Sequence, residues 1–142
     1  MKRYFIIGTD TDCGKTYVTC KLLDYFKKKG KRVHAIKPVA SGCTEQDCQL
    51  ISQDVLHLQR HNSHNHHPIC RWFFKPPISP HLAAEEAGQC ISAQAVMEFC
   101  NDPAFSDNDY LLIESAGGLM SPLNNRETWL DVLLLSQIPV IF

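Results

Sequence analysis

The sequence predicts an α/β fold in which a parallel sheet is covered by helices on both faces. Three observations predict it. Short apolar runs alternate along the chain with segments whose apolar residues recur at helical spacing. Polar, glycine-containing loops follow the first, second and third apolar runs. The chain has 142 residues, 44% of them apolar and 20% charged, enough for the core of one domain, read as residues 1–142.

Arg3–Ile7 is the first apolar run and reads as a buried strand, followed by a polar turn over Gly8–Gly14. Val18, Leu22, Tyr25 and Phe26 then recur at helical spacing. Lys27, Lys28, Lys29 and Gly30 close that helix, because basic residues suit its negative C-terminal end and glycine suits the position just past it. Arg32–Ile36 reads as a second strand, and Lys37–Gly42 as the loop leaving it. Leu50, Ile51, Val55 and Leu58 suggest a helix over Gln46–Gln59. His61–Pro80, rich in proline and histidine, reads as a long loop, and long loops within compact domains are often functional. Short helices are expected over His81–Ala87 and Ser92–Cys100, a strand over Asp109–Glu114 with an exit turn at Ser115–Gly118, a helix over Trp129–Ser136 and a strand over Pro139–Phe142. In parallel sheets ligands sit at the C-terminal ends of strands, and the three glycine-bearing loops at Gly8, Lys37 and Ser115 all fall there.

Gly8-Thr9-Asp10-Thr11-Asp12-Cys13-Gly14-Lys15-Thr16 joins the first strand to the first helix. Backbone N–H groups of such a turn wrap phosphate oxygens, a lysine reaches the β- and γ-phosphates, and the threonine hydroxyl ligates a bridging magnesium. Five residues separate Gly8 from Gly14, and Thr9 stands where the usual Gly-x-x-x-x-Gly-Lys-Thr spacing has its first glycine. Gly-Lys-Thr opening a helix after a strand nevertheless points to a nucleoside triphosphate, and so to a P-loop NTPase-like sheet. Glu114 ends a buried strand where a second metal residue would stand, and Asp54 on the next helix can add another hard oxygen. Lys37 is held extended by Pro38 and can bring a second cation to the γ-phosphate. Ser41-Gly42 lies close by, and Gly117-Gly118 can present N–H groups to an anion. Two lysines, one magnesium and a backbone cradle describe phosphoryl transfer.

Other features exclude function classes. The formal net charge is -1, leaving no global basic field for nucleic acid or an anionic membrane. The longest apolar runs, Val132–Leu135 and Pro139–Phe142, are too short to span a bilayer, and the N-terminal run is too short for a signal peptide. Seven cysteines without a Cys-x-x-Cys pair read as reduced thiols, which places the protein in the cytoplasm. His61, His64, His66 and His67 lie in one segment without helical or strand period; it reads as an exposed loop with at most adventitious metal binding.

The motifs resemble one known family. The Gly8–Thr16 loop resembles the nucleotide loop of dethiobiotin synthetases. Lys37-Pro38-Val39-Ala40-Ser41-Gly42 is similar to that family's catalytic-lysine and substrate loop, Ser79-Pro80-His81 to its Ser-Pro-His segment, and Glu114-Ser115-Ala116-Gly117-Gly118 to its Glu-Gly-Ala-Gly-Gly turn. The resemblance implies an ATP- and Mg2+-dependent ligase that closes the ureido ring of dethiobiotin from 7,8-diaminopelargonate and CO2 through a carbamic–phosphoric anhydride, as a homodimer. It implies catalytic roles for Lys15 and Lys37 and nucleotide contacts from Asp12, Cys13, Gly14, Lys15, Thr16, Tyr17, Glu114, Ser115, Ala116 and Gly117. Thr11, Ser41, Gly117 and Gly118 would contact substrate, and Thr16, Asp54 and Glu114 would hold magnesium.

Two departures stand out: Asp12 replaces the glutamate of many relatives, and Ser115 replaces the first glycine of the exit turn, where a positive φ would strain it. Relatives also continue past the last strand, so the fold is expected to be incomplete at its C-terminal end, without the adenine contacts and much of the dimer interface. A switch ATPase of the partitioning or cell-division kind is the alternative; its signature lysine early in the phosphate loop is missing between Gly8 and Gly14. A non-catalytic remnant that still binds phosphate is the other.

Overall fold

The computed structural model describes residues 1–63 and 66–142. Among these, β1 (Lys2–Ile6), β2 (Val33–Ile36), β7 (Tyr110–Glu114) and β8 (Val140–Ile141) form a four-stranded parallel sheet in the order β2-β7-β1-β8. The register pairs Ile6 with Glu114 and with Ile141, and Ile36 with Ile113, so the three leading strands end together at one edge.

Both faces are covered, because successive strand residues point to opposite sides. Phe5, Ile36, Leu111 and Ile113 pack with α4 (Ala93–Cys100) and α5 (Trp129–Ser136) through Val96, Phe99, Trp129 and Val132. Ile6, Val33, Ala35 and Leu112 pack on the other side with Leu23 of α1 (Lys15–Lys28) and Leu58 of α2 (Gln53–His61). Lys27 and Lys28 do lie in the last turn of α1, and Gly30 just beyond it takes φ 69°. The architecture is the expected parallel α/β one. No helix of the described residues is long and apolar enough to cross a membrane.

Three local expectations are corrected. The front of the expected Gln46–Gln59 helix is a β-hairpin, β4 (Thr44–Gln46) against β5 (Gln49–Ile51). Its turn residues Asp47 and Cys48 have φ 49° and 62°; such a turn needs positive φ, which aspartate tolerates and cysteine does not advertise. Helix α2 starts only after Ser52, whose hydroxyl caps it by accepting from the Val55 amide at 3.4 Å. The expected loop His61–Pro80 contains β6 (Trp72–Phe73), which pairs with β3 (Val39–Ala40) beyond Lys37. The segment also begins on a helix rather than in a loop. His61 is the last residue of α2, and its Nδ1 lies 2.9 Å from Asp24 Oδ1 on α1. His66 and His67 follow it, whereas His64 lies outside the described residues.

Candidate active site

The sheet edge where β1, β2 and β7 end opens into a cleft of about 830 Å3. Thr11, Asp12, Gly14, Lys15, Thr16, Tyr17, Lys37, Ser41, Asp54, Glu114, Ala116 and Gly117 all line it. Residues from opposite ends of the sequence meet here because parallel β1 and β7 deliver both exit loops to the same edge.

The phosphate loop is held by its own chemistry. Asp12 (φ 54°) and Gly14 (φ 94°) take left-handed conformations that curl the backbone ahead of α1. Asp10 Oδ1 accepts from the Thr11 amide at 2.7 Å. Lys15 is buried, and its ammonium donates to the Asp10 carbonyl and lies 3.5 Å from Cys13 Sγ. The lysine therefore folds back over the loop it would neutralise.

Glu114 is fully buried at the end of β7 and gathers the rest. Its Oε1 accepts from Thr16 Oγ1 at 2.6 Å and from Lys37 Nζ at 2.9 Å, and its Oε2 from Thr19 Oγ1 at 3.1 Å. Lys37 Nζ also donates to Asp54 Oδ2. Burial alone would lower the Lys37 pKa, but the Glu114 and Asp54 carboxylates outweigh it and raise the pKa above its usual 10.5. Burial opposes ionisation of Asp54, yet Lys37 and Thr16 hold its pKa below the usual 3.8. The Asp54 and Glu114 carboxylates thus converge on one cationic centre, the Lys37 ammonium, with the Thr16 hydroxyl bonded to Glu114 beside them. A hard-oxygen set already assembled about a positive charge fits Mg2+.

Three expected residues lie elsewhere. Cys13 faces a smaller cavity of about 270 Å3 beside Ile141 and Phe142. Ser115 is buried and turned inward, its hydroxyl donating to the Gly117 carbonyl at 3.2 Å. It is not among the described positive-φ residues, so serine fits this position without backbone strain. Gly118 does not offer a free N–H to an anion as expected: that group donates to Ser121 Oγ at 2.9 Å. The residue serves close approach instead, since a Cβ there would stand 2.2 Å from the Thr9 carbonyl oxygen.

Other contributors had little sequence signal. Thr19 braces Glu114 and also bonds the Lys15 carbonyl at 2.8 Å; its spacing from Thr16 on one helix face was the available clue. Ser121, Pro77 and Ile78 reach the cleft from loops without periodicity, beside Ser79 and Pro80 of the Ser-Pro-His segment. Among the described residues no group of three or more histidine, cysteine, aspartate or glutamate side chains is placed to hold a metal.

Comparison with known proteins gives the family. A family model described as AAA domain matches residues 2–142. The ATP-dependent dethiobiotin synthetase of Legionella pneumophila (strain Paris) is 49% identical over 141 residues, covering 99% of this chain and 65% of that protein. Those of Marinobacter nauticus and Pseudoalteromonas translucida are 41% and 38% identical, covering 97% and 99% of this chain and 60% and 63% of theirs. This chain therefore spans somewhat less than two thirds of these relatives' length. With the phosphate loop, the two lysines and the buried glutamate assembled at one sheet edge, it belongs to the AAA-domain family and shares its ancestry with the ATP-dependent dethiobiotin synthetases.

Proposed function

We propose that this chain is the phosphate- and carbamate-handling part of an ATP- and Mg2+-dependent cyclo-ligase that forms dethiobiotin from 7,8-diaminopelargonate and CO2. One observation carries the reading: Lys15, Lys37, Thr16, Asp54 and Glu114 line a single cleft beside a backbone cradle.

In this reading one substrate amine takes up CO2 and loses a proton, giving a carbamate. A carbamate oxygen attacks the γ-phosphorus, and ADP leaves as the carbamic–phosphoric anhydride forms. The second amine attacks the carbamoyl carbon, closes the ring and expels phosphate. The backbone from Asp12 to Tyr17 and the turn from Glu114 to Gly117 receive the nucleotide phosphates. Lys15 turns from the Asp10 carbonyl to the β- and γ-phosphates. Lys37 swings from Glu114 and Asp54 to the carbamate and the transferring phosphoryl group, where a buried ammonium stabilises charge that develops in the transition state. Thr11 and Ser41 donate hydrogen bonds to the substrate end. Thr16, Asp54 and Glu114 would hold Mg2+, which, when bound, neutralises the phosphate oxygens. A homodimer, as the resemblance implies, would present this cleft twice.

The test supplies the chain with MgATP, bicarbonate and the diamine, and measures ADP and dethiobiotin. Diamine-dependent ADP release with ring-closed product would establish the ligase reading for this chain. ATP hydrolysis indifferent to the diamine and stimulated by a membrane or protein partner would instead establish a switch ATPase.

A further inference from the structure

One polar pair at the cleft has no part in the roles above. Ser79 lines the cleft and immediately precedes α3 (Pro80–Glu86). Serine there usually caps the helix by accepting from its first free amides, a bond whose loss costs about 1 kcal/mol. Here the side chain makes no such bond. Its Oγ lies 3.0 Å from His81 Nδ1 instead. Pro80 between them carries no N–H, which removes a local competitor for the hydroxyl. The imidazole does not line the cleft itself; it reaches the cleft through the serine oxygen. A hydroxyl withdrawn from capping and placed on an imidazole is a proton path, from the cleft to Ser79 Oγ to His81 Nδ1.

The proposed reaction has a step in which such a path would serve. When the second amine attacks the carbamoyl carbon, a C–N bond forms, the C–O bond to the phosphoryl group breaks, and phosphate leaves with the electron pair. The new ring nitrogen must shed one proton. Lys15 and Lys37 are cations and cannot accept it. Asp54 and Glu114, which Lys37 leaves in that reaction, supply the oxygens proposed to hold Mg2+.

We propose that Ser79 is the catalytic hydroxyl that takes the amine proton during ring closure, and that His81 is its positioning residue, accepting the serine proton at Nδ1. The proposal rests on the ligase reading of the cleft. The neutral imidazole starts with Nδ1 unprotonated and Nε2 bearing its hydrogen, and the imidazolium then returns a proton to solvent. The hydroxyl is regenerated by the proton it takes from nitrogen, and the expelled phosphate takes up one proton from solvent, which balances the proton that His81 returns there. General-base assistance of this kind is worth about 100-fold or more.

Two measurements on the full chain test it. The first is the ratio of dethiobiotin to ADP. Ser79→Ala and His81→Asn should still form ADP, while product per ADP falls about 100-fold as the anhydride hydrolyses unused. His81→Asn keeps a polar atom near the hydroxyl but cannot take up a proton, so it separates proton transfer from mere placement. Product and ADP falling together, at an unchanged ratio, would overturn the relay and leave the ligase reading standing. The second measurement needs no turnover: long-range 1H–15N spectra of the imidazoles on adding the diamine. The His81 Nδ1 resonance should move in wild type and stay fixed in Ser79→Ala. A static His81 resonance in a chain whose Gly117 and Ala116 amides respond would sink the relay alone; no response anywhere in the cleft would sink both readings.

Discussion

The Lys37 ammonium lies 2.9 Å from Glu114 Oε1 and also bonds Asp54, so a lysine fills the charge-neutralising place among the oxygens proposed to hold Mg2+. Glu114 is fully buried and Lys37 nearly so, which makes their separation costly unless another cation replaces the ammonium. In the proposed reaction, arrival of the metal and release of Lys37 toward phosphate would therefore be one exchange. Lys37→Met should then bind Mn2+ in the absence of nucleotide more tightly than wild type, by about tenfold or ~1.4 kcal/mol, because the competing charge is gone. Ring closure should be lost in the same variant. Mn2+ titration by electron paramagnetic resonance reads the first effect; unchanged or weaker binding would show that Lys37 and the metal do not compete.

The parallel sheet, the loop ahead of α1 and the meeting of both lysines at one sheet edge were legible in the sequence, because buried strands write continuous apolar runs and Gly-Lys-Thr marks where a helix begins. The Thr44–Ile51 hairpin was not. Leu50 and Ile51 are only half-buried there and coincide with a helical spacing set by Val55 and Leu58. Nor did the sequence show that Gly117 and Gly118 work differently. One takes φ 74° while the other, outside the left-handed region, lets two loops touch, a distinction only the fold makes.

That distinction predicts unequal glycine substitutions. In Gly118→Ala the new methyl would meet the backbone of Thr9 at 2.2 Å, and neither loop can yield without moving the Leu119 N–H to Gly8 carbonyl bond of 3.1 Å. Gly14→Ala meets nothing within 4 Å and bears only the cost of φ 94°. Gly118→Ala should destabilise by about 1–3 kcal/mol and displace the phosphate loop. Gly14→Ala should cost about 1–2 kcal/mol with the exit turn unmoved. Urea unfolding alongside amide shifts of Thr9 and Leu119 separates the two; equal perturbation of those amides would contradict the contact.

Helix α5 begins with a reciprocal cap. The Thr128 hydroxyl accepts from the Leu130 amide at 3.2 Å, and Asp131 Oδ2 accepts from the Thr128 amide at 2.7 Å. These Thr128 donors hold the Asp131 pKa below the usual 3.8. A lowered carboxylate contributes stability above its unfolded pKa and loses it as pH falls through the lower folded value. Asp131→Asn should therefore be less stable than wild type at neutral pH, and the two curves should converge below the usual 3.8. Thr128→Ala should cost about 1 kcal/mol at neutral pH. Parallel curves that never meet would mean that the Asp131 charge has no part in the cap.

The thiols give a direct reading of whether the phosphate loop is occupied. Burial slightly opposes ionisation of Cys13, but hydrogen bonding at Asp10 and the adjacent Lys15 ammonium bring its pKa below the usual 9.0. Burial pushes Cys70 and Cys100 up to about 12 and Cys20 to about 11, which leaves them almost without thiolate at neutral pH. Cys13 is also exposed, as are Cys48 and Cys90, neither of which lines the cleft or the smaller cavity beside Cys13. Iodoacetamide at neutral pH should therefore label Cys13 first. MgATP should slow that labelling without slowing Cys48 or Cys90, because a phosphate drawn into the cradle recruits Lys15 away from the thiol and places negative charge beside it. Peptide-resolved mass spectrometry over a time course gives both rates. Cys13 labelling that MgATP leaves unchanged, at concentrations saturating by calorimetry, would mean that the triphosphate does not enter this loop.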